Sequence, residues 1–343
     1  MTNERTSLIR SSALPAICLI AALALPFVVP VYYVQFASKA LILGVLAMAL
    51  NLVVGQGGLV SLCHAAFFGL AGYVLALMSP KYDAASLLLT WPAAVLAASF
   101  AALVIGALAL RTRGVYFIMV TLAFGEMLFY LFHDADFAGG SDGAFINVKP
   151  ELVIAGVRLL DLDKPLTFYF LVLGVTVAAI ALLVTVVRSP FGHALAAARD
   201  NERRARALGF PIFRIRLIAF VLSGALSGVA GYLAAVQFGF VAPQMLGWHQ
   251  SATVLVMVLI GGLGTVTGPL IGALVLLGLE EVLKASFEHW KLIEGVIVIA
   301  IVLLLPNGVR QLWPMLVGDR EPKSVHGKQT TPAPRPASET GHA

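Results

Sequence analysis

Long apolar runs separated by short polar stretches dominate the chain. A helix needs about 20 apolar residues to cross the hydrocarbon core of a bilayer. The pattern therefore predicts an all-α polytopic membrane protein with about ten transmembrane segments, some of them discontinuous. Merging 249–263 with its neighbour, or a re-entrant segment over 55–79, would change this count but could keep the orientation inferred below. The ten runs cover residues 13–34, 37–54, 64–79, 86–110, 115–132, 166–187, 216–239, 249–263, 266–284 and 291–306.

The composition agrees with this pattern. Of the 343 residues, 59% are hydrophobic and only 12% are charged, whereas soluble domains carry about 25% charged residues. The net charge of +5 does not indicate nucleic-acid binding, because the basic residues border apolar runs and fit membrane topology better. Arg5 and Arg10 precede the first run, as in a signal peptide. The length of that run and the spans that follow favour an uncleaved first span.

The distribution of Arg and Lys predicts which side of the membrane each loop faces. An Arg in the membrane interior costs roughly 2.5 kcal/mol or more, and cytoplasmic loops carry an excess of basic residues. If the N-terminus is cytoplasmic and the runs alternate, the turn with Arg111 and Arg113, residues 188–216 and the C-terminal tail all face inside. We therefore predict a cytoplasmic N-terminus at 1–12, a transmembrane domain at 13–310, and a cytoplasmic, disordered tail at 311–343.

Residues 188–216 form the most basic segment, and their pattern predicts an ordered helix. Ser189 followed by Pro190 is a typical helix start, and Gly209 followed by Pro211 is a typical end. A small apolar face of this helix could dock into the groove of a partner protein. That face consists of Leu195, Ala198, Ala205 and Leu208, together with Glu202. The arginines of the segment are Arg188, Arg199, Arg203, Arg204, Arg206, Arg214 and Arg216.

Two glycine-rich sequences interrupt apolar runs, one in each half of the chain. The first contains Gly55, Gln56, Gly57 and Gly58 and leads to Ser61 and His64; the second contains Gly261, Gly262 and Gly264. Discontinuous helices of this kind free backbone groups that can line a polar path. Close helix packing through small residues is the alternative. Likewise, His64 either contacts a solute or is a packing histidine with satisfied hydrogen bonds.

Glu126 lies within the apolar run 115–132. A carboxylate inside a membrane indicates a functional site by default. The alternatives are a pairing with a partner subunit or a position near the outer surface.

The connection 133–165 is the one long external loop of this topology, and it is acidic. It carries Asp134, Asp136 and Asp142. It is either a solvated acidic loop or a docking surface for an external partner.

The sequence carries no metalloprotease or P-loop signature. It has no H-E-x-x-H and no G-x-x-x-x-G-K-[ST], and we expect neither covalent chemistry nor ATP binding through a P-loop. Cys18 and Cys63 lie in or near apolar runs, and we expect no disulfide and no bound metal.

Five stretches together resemble the LivM-type permeases of branched-chain amino acid ABC importers. In chain order they are LNLVVGQGGLVSLCHAAFFGLAGYV (50–74), TRGVYFIMVTLAFGE (112–126), GGSDG (139–143), RDNERRARALGF (199–210) and GGLGTVTGPLIGA (261–273). The resemblance covers residues 37 to 310. It implies a multi-pass permease of the bacterial inner membrane, with both termini cytoplasmic. It also implies a second, related permease subunit, two cytoplasmic ATP-binding subunits that use ATP-Mg, and a periplasmic substrate-binding protein.

The resemblance also assigns roles to the candidate residues. Residues 202–209 correspond to the cytoplasmic loop that contacts the ATPases. The ATPase-coupling set is Arg199, Glu202, Arg203, Arg204, Ala205, Arg206, Leu208 and Gly209. The translocation path is expected along Gly55, Gln56, Gly57, Gly58, Ser61, His64, Glu126, Gly261, Gly262 and Gly264. Docking of the binding protein is expected at Asp134, Asp136 and Asp142.

Two positions depart from the family pattern. Glu202 is followed by Arg203 and Arg204 rather than by two alanines, and Cys63 stands where a glycine is expected. The resemblance implies Leu, Ile or Val as solute, while similar permeases handle urea, short amides or aromatic acids. An ion-coupled secondary transporter would need several ionisable groups in the membrane. Glu126 is nearly alone, which disfavours that class.

Overall fold

The computed structural model describes residues 20–80, 82–154 and 157–304, and most of them are helical. The predicted N-terminal region 1–12, the start of the first apolar run and the tail 311–343 lie outside this part. Residues 20–28 are helical. The helices that follow are α1 Val31–Asn51, α2 His64–Met78, α3 Leu87–Ala109, α4 Val115–His133, α5 Pro165–Arg188, α6 Pro190–Asp200, α7 Glu202–Ala207, α8 Ile212–Phe238, α9 Trp248–Gly261, α10 Gly268–Ser286 and α11 Trp290–Leu304.

Five helical segments of the described part are long and apolar enough to span a membrane, so the predicted count of ten is not confirmed. Four other runs fold as helices of only 14 to 19 residues: α2, α9, α10 and α11. The helical membrane class itself is confirmed. The five long segments are Val31–Gln56, Leu87–Ala109, Val115–His133, Pro165–Arg188 and Ile212–Phe238.

α1 and α8 form the centre of the bundle, whereas α3, α4 and α5 expose most of their surface. Small residues permit this packing, since apolar helices in lipid associate by close van der Waals contact. Gly224 and Gly228 of α8 face Ala102 and Ala98 of α3, and a Cβ on either glycine would clash there. The glycines of α8 therefore serve helix packing.

The bundle has two chemically distinct ends. At one end, which we call the basic end, lie Arg111, Arg113 and the segment 188–216. At the other, the acidic end, lies the loop 133–165, which one short strand pair attaches to the bundle and a second strand pair folds on itself. β1 Ala144–Phe145 pairs antiparallel with β4 Phe240–Val241, and β2 Leu152–Ile154 pairs antiparallel with β3 Val157–Leu160. The loop is thus folded against the helices rather than free in solvent.

Both predicted glycine breaks interrupt the helices. α1 continues into a π-helical turn, Leu52–Gln56, and no helix resumes until His64. α9 ends at Gly261, and α10 begins only at Gly268. Gly58, Gly262 and Gly264 adopt φ values of 67°, 97° and 79°. Such values strain residues with a Cβ, which explains glycine at these turns.

The basic segment differs from the prediction of one helix. It starts as predicted at Ser189, whose Oγ accepts the backbone N–H of Gly192 at 3.3 Å, and it ends before Gly209, whose φ is +85°. Between them, Asn201 is extended, with φ −155° and ψ 96°, and divides the segment into α6 and α7. Its Oδ1 caps α7 by accepting the backbone N–H of Arg204 at 3.0 Å.

Candidate functional site

The two glycine breaks, which lie more than 200 residues apart in sequence, contact each other directly. Asn51 Nδ2 donates to the carbonyl of Thr265 at 2.7 Å, and Gln56 Nε2 donates to the carbonyl of Gly264 at 2.7 Å. The backbone N–H of Gly264 in turn donates to Asn51 Oδ1 at 3.3 Å. A Cβ on Gly55 would lie 2.6 Å from that nitrogen, so only glycine permits this approach. The breaks therefore form one hydrogen-bonded unit.

The basic segment is bonded to the same unit. Arg199 Nη1, at the end of α6, donates to the carbonyl of Gly55 at 2.6 Å. The side chain of Leu195 also lies against the break, 3.6 Å from where a Cβ of Gly57 would be. Residues predicted for ATPase coupling and residues predicted for the path are thus brought together at the basic end.

Glu202 is the electrostatic centre of the basic end. Its Oε1 lies 2.9 Å from Arg113 Nη2 and 2.7 Å from Arg206 Nη2, and its Oε2 lies 3.1 Å from Arg216 Nη1. These arginines belong to three different parts of the chain: the turn after α3, α7 and the start of α8. The carboxylate therefore holds α7 against the bundle.

The apolar face predicted to dock into a partner packs inside this chain instead. Leu195, Ala198 and Ala205 are all buried, the last two in a cluster with Ile212. The pattern predicted an apolar face but not which protein covers it. Leu208 is the exception, because 70% of its surface is exposed. Arg203, Arg204 and Gly209 are exposed beside it.

His64 is fully buried, and both of its ring nitrogens are bonded within the chain. The Ser223 hydroxyl donates to the carbonyl of Ala49, so His64 Nε2 must be the donor in its 2.7 Å bond to Ser223 Oγ. Nδ1 then accepts from Ser61 Oγ at 3.1 Å. This arrangement matches the packing alternative for His64 and leaves no ring nitrogen for a solute.

Glu126 lies beside an open recess and caps a helix. Its Oε1 accepts the backbone N–H of Trp248, the first residue of α9, at 3.1 Å. The recess has a volume of about 800 Å³ and is lined by residues of α4, among them Met127 and Tyr130, and by Asp134 just after the helix. Glu126 thus stabilises the start of α9, at the positive end of that helix dipole, while facing a cavity on the bundle surface.

The predicted docking aspartates are exposed at the acidic end. Asp134 pairs with His133, with Nδ1 and Oδ1 2.9 Å apart, and Asp136 and Asp142 face solvent. Two aromatic side chains of the same loop, Phe137 and Phe145, are 69% and 70% exposed. The surface therefore combines carboxylates, which were predicted from the sequence, with apolar rings, which were not.

Several hydrogen-bond and ion-pair partners of the predicted residues were not predicted from the sequence. A polar residue in an apolar run, such as Asn51 before the first break, was a usable signal, because buried amides require partners. The pairing of Asn51 with Thr265, and of Glu202 with Arg113 and Arg216, depends on the tertiary fold and left no local pattern.

The apolar helices define an integral membrane protein of the helical, multi-pass class. The family described as "Branched-chain amino acid transport system / permease component" matches residues 32–304, and the chain belongs to this family. It is 31% identical over 313 residues to the high-affinity branched-chain amino acid transport system permease protein LivM of Salmonella typhimurium strain LT2. That match covers 85% of this chain and 73% of that protein.

Other relatives share shorter regions. The permease protein LivH of Escherichia coli strain K12 is 27% identical over 135 residues, which cover 38% of this chain and 43% of LivH. The autoinducer 2 import system permease protein LsrC of Enterobacter sp. strain 638 is 30% identical over 192 residues, 52% of this chain and 56% of LsrC. No solved structure matches the chain.

Proposed function

We propose that this chain is a transmembrane permease subunit of an ATP-driven, high-affinity importer of the branched-chain amino acids Leu, Ile and Val in the bacterial inner membrane. The observation that carries the proposal is the match to LivM, which extends over 85% of this chain. Similarity to LivH supports a second, related permease as partner. The chain itself supplies a path and a mechanical connection, and separate subunits hydrolyse ATP-Mg.

The ATP-binding subunits are proposed to dock at the basic end, which then faces the cytoplasm with both termini. Exposed Leu208 supplies an apolar anchor, and Arg203 and Arg204 surround it with positive charge. Apolar anchors with a charged rim are typical of protein interfaces. The buried Ala205 supports this surface from within, and Arg206 and Glu202 fix the orientation of α7.

The periplasmic binding protein is proposed to dock at the acidic end. Exposed Asp134, Asp136 and Asp142 would attract a basic surface, and Phe137 and Phe145 offer apolar contact. Complementary charges accelerate association and are sensitive to salt. This partner would deliver the solute and determine most of the specificity.

The path is proposed to run between this chain and its partner permease, along the exposed face of α4. The recess beside Glu126 is its outer part. The glycine breaks form its inner part, where Gly264 and Gln56 join the two halves of the chain. His64 and Ser61 support the breaks from the core instead of touching the solute.

The proposal is tested by uptake into proteoliposomes containing the full complex, with the binding protein outside and ATP inside. We expect uptake of labelled leucine that requires ATP, stops with vanadate and survives an ionophore. Urea, short amides and aromatic acids are tested as competitors. Uptake that needs an ion gradient but not ATP would contradict the proposal. Preferred transport of a competitor would identify that compound as the solute in place of leucine.

A further inference from the structure

The Gly55 carbonyl is available to Arg199 because the helix ends irregularly around it. The N–H groups of Gly57 and Gly58 donate to the carbonyls of Leu52 and Val54, and that of Leu59 donates to Val53. The chain then leaves the helix, and the carbonyl of Gly55 takes the guanidinium of Arg199 at 2.6 Å. A cation at a helix C-terminus also interacts favourably with the helix dipole.

Arg199 is held in this position from both sides. Asp200 Oδ1 lies 3.0 Å from both Nε and Nη2 of Arg199, which leaves Nη1 for Gly55. The aliphatic part of the side chain packs on Gly58, where a Cβ would lie 2.6 Å from Arg199 Cγ. The contact thus depends on a charged fork oriented by Asp200 and on the missing side chain of Gly58.

The first glycine break, which Arg199 contacts, is itself hydrogen-bonded to the turn between α9 and α10. Gln56, the neighbour of Gly55, and Asn51, one helical turn earlier, bond to Gly264 and Thr265. A short series of hydrogen bonds therefore connects α6 to α1 and then to the turn between α9 and α10. Among the arginines of the basic segment, Arg199 is the one that reaches the break within the described part of the chain.

We propose that Arg199 is a positioning residue that transmits displacement of α6 to the paired glycine breaks, so that the basic end and the α9–α10 turn move together. This inference rests on the proposed function, since ATP hydrolysis by partner subunits supplies the displacement. Arg199 acts through hydrogen bonds to the backbone rather than by contacting an ATPase. Coupling requires an element with two arrangements that both sites influence. The irregular turn at 52–58 is placed to be that element, because it is bonded both to Arg199 and to Gly264.

The first test measures solute transported per ATP hydrolysed in the reconstituted complex. Arg199→Gln is compared with Arg214→Gln, which removes an exposed arginine of the same segment. We expect the ratio to fall about tenfold in Arg199→Gln, within the range typical of coupling between two sites, and to remain unchanged in Arg214→Gln.

The second test does not require transport. Hydrogen exchange of the purified complex should be about tenfold faster at residues 55–60 and 262–267 in Arg199→Gln than in Arg214→Gln, because loss of the bond raises local opening. Equal exchange and equal transport per ATP in the two variants would overturn the role of Arg199. Lack of ATP-driven uptake by the unmodified complex would instead overturn the proposed function, and the exchange comparison would still decide the role of the bond.

Discussion

Glu202 and Arg216 form a partly buried ion pair, with 3.1 Å between Oε2 and Nη1 and side-chain exposures of 22% and 16%. Arg216 also donates from Nη2 to the carbonyl of Ala198 at 3.2 Å. The first residue of α7, the end of α6 and the start of α8 are therefore joined at one point. This pair therefore helps to fix α7 relative to α6 and α8.

Glu202→Gln should loosen α7. The pair is intermediate between exposed pairs, worth about 0–1 kcal/mol, and buried pairs, whose disruption costs about 3–5 kcal/mol. We expect the free energy of unfolding to fall by about 1–2 kcal/mol and proteolysis within 188–216 to become faster. Arg113→Gln is the control, because Arg113 pairs with the same carboxylate but is 68% exposed. If both variants resisted protease like the unmodified chain, Glu202 would not organise this segment.

Substitution of Leu208 should affect ATPase stimulation but not stability, whereas substitution of Ala205 should lower stability. Leu208→Gln keeps the size of an exposed side chain, so folding stability should change by less than about 0.5 kcal/mol. Solute-stimulated ATP hydrolysis should fall about tenfold if Leu208 is an interface anchor. Ala205→Trp, in contrast, overpacks the cluster with Ala198 and Ile212, at about 1–3 kcal/mol. Normal stimulation in Leu208→Gln would exclude this residue from the ATPase interface.

Removing charge at the acidic end tests whether the binding protein docks there. Asp134→Asn combined with Asp136→Asn should weaken binding-protein association most at low ionic strength, since exposed charges are screened over about 8 Å at physiological salt. The control is Asp83→Asn, an exposed aspartate of the loop between α2 and α3. Uptake is titrated with binding protein at low and high salt. An unchanged titration at low salt would exclude the two aspartates from the docking surface.

Local sequence signals predicted more of this fold than of its contacts. Gly55–Gly58 and Gly261–Gly264 predicted the two interruptions, and Ser189 and Gly209 predicted the ends of the basic segment, because propensities at helix ends are local. The division at Asn201 was missed, although Asn is a favoured helix cap. The burial of Ala205 could not be predicted, since periodicity gives an apolar face without identifying what covers it. Contacts such as Asn51 with Thr265 exist only in the folded chain.

Gly57→Ala tests the first break. The φ of Gly57 is −87°, which alanine tolerates, but a Cβ there would lie 2.6 Å from the carbonyl oxygen of Val53. Overpacking of this kind costs about 1–3 kcal/mol, and it should displace the π-helical turn. We expect uptake to fall more than assembly of the complex. Gly174→Ala, in α5, is the control, because its Cβ meets no atom within 4 Å. A parallel fall of uptake and assembly would indicate that Gly57 serves packing alone.

Substitutions of Glu126 distinguish a role as a helix cap from a role that requires its negative charge. As a cap, it supplies an oxygen 3.1 Å from the backbone nitrogen of Trp248. Glu126→Gln keeps an acceptor oxygen and loses only the interaction of charge with the helix dipole, about 0.3–1 kcal/mol. Glu126→Ala removes the acceptor and should cost about 1 kcal/mol, as loss of a cap does. We therefore expect ATP-driven uptake to survive in Glu126→Gln and to decline in Glu126→Ala together with thermal stability. An amide cannot replace a carboxylate whose negative charge is needed, so abolished uptake in a stable Glu126→Gln variant would show that Glu126 does more than cap α9. Uptake that then no longer requires ATP in the unmodified complex, but requires an ion gradient, would assign it the role of an ion carrier.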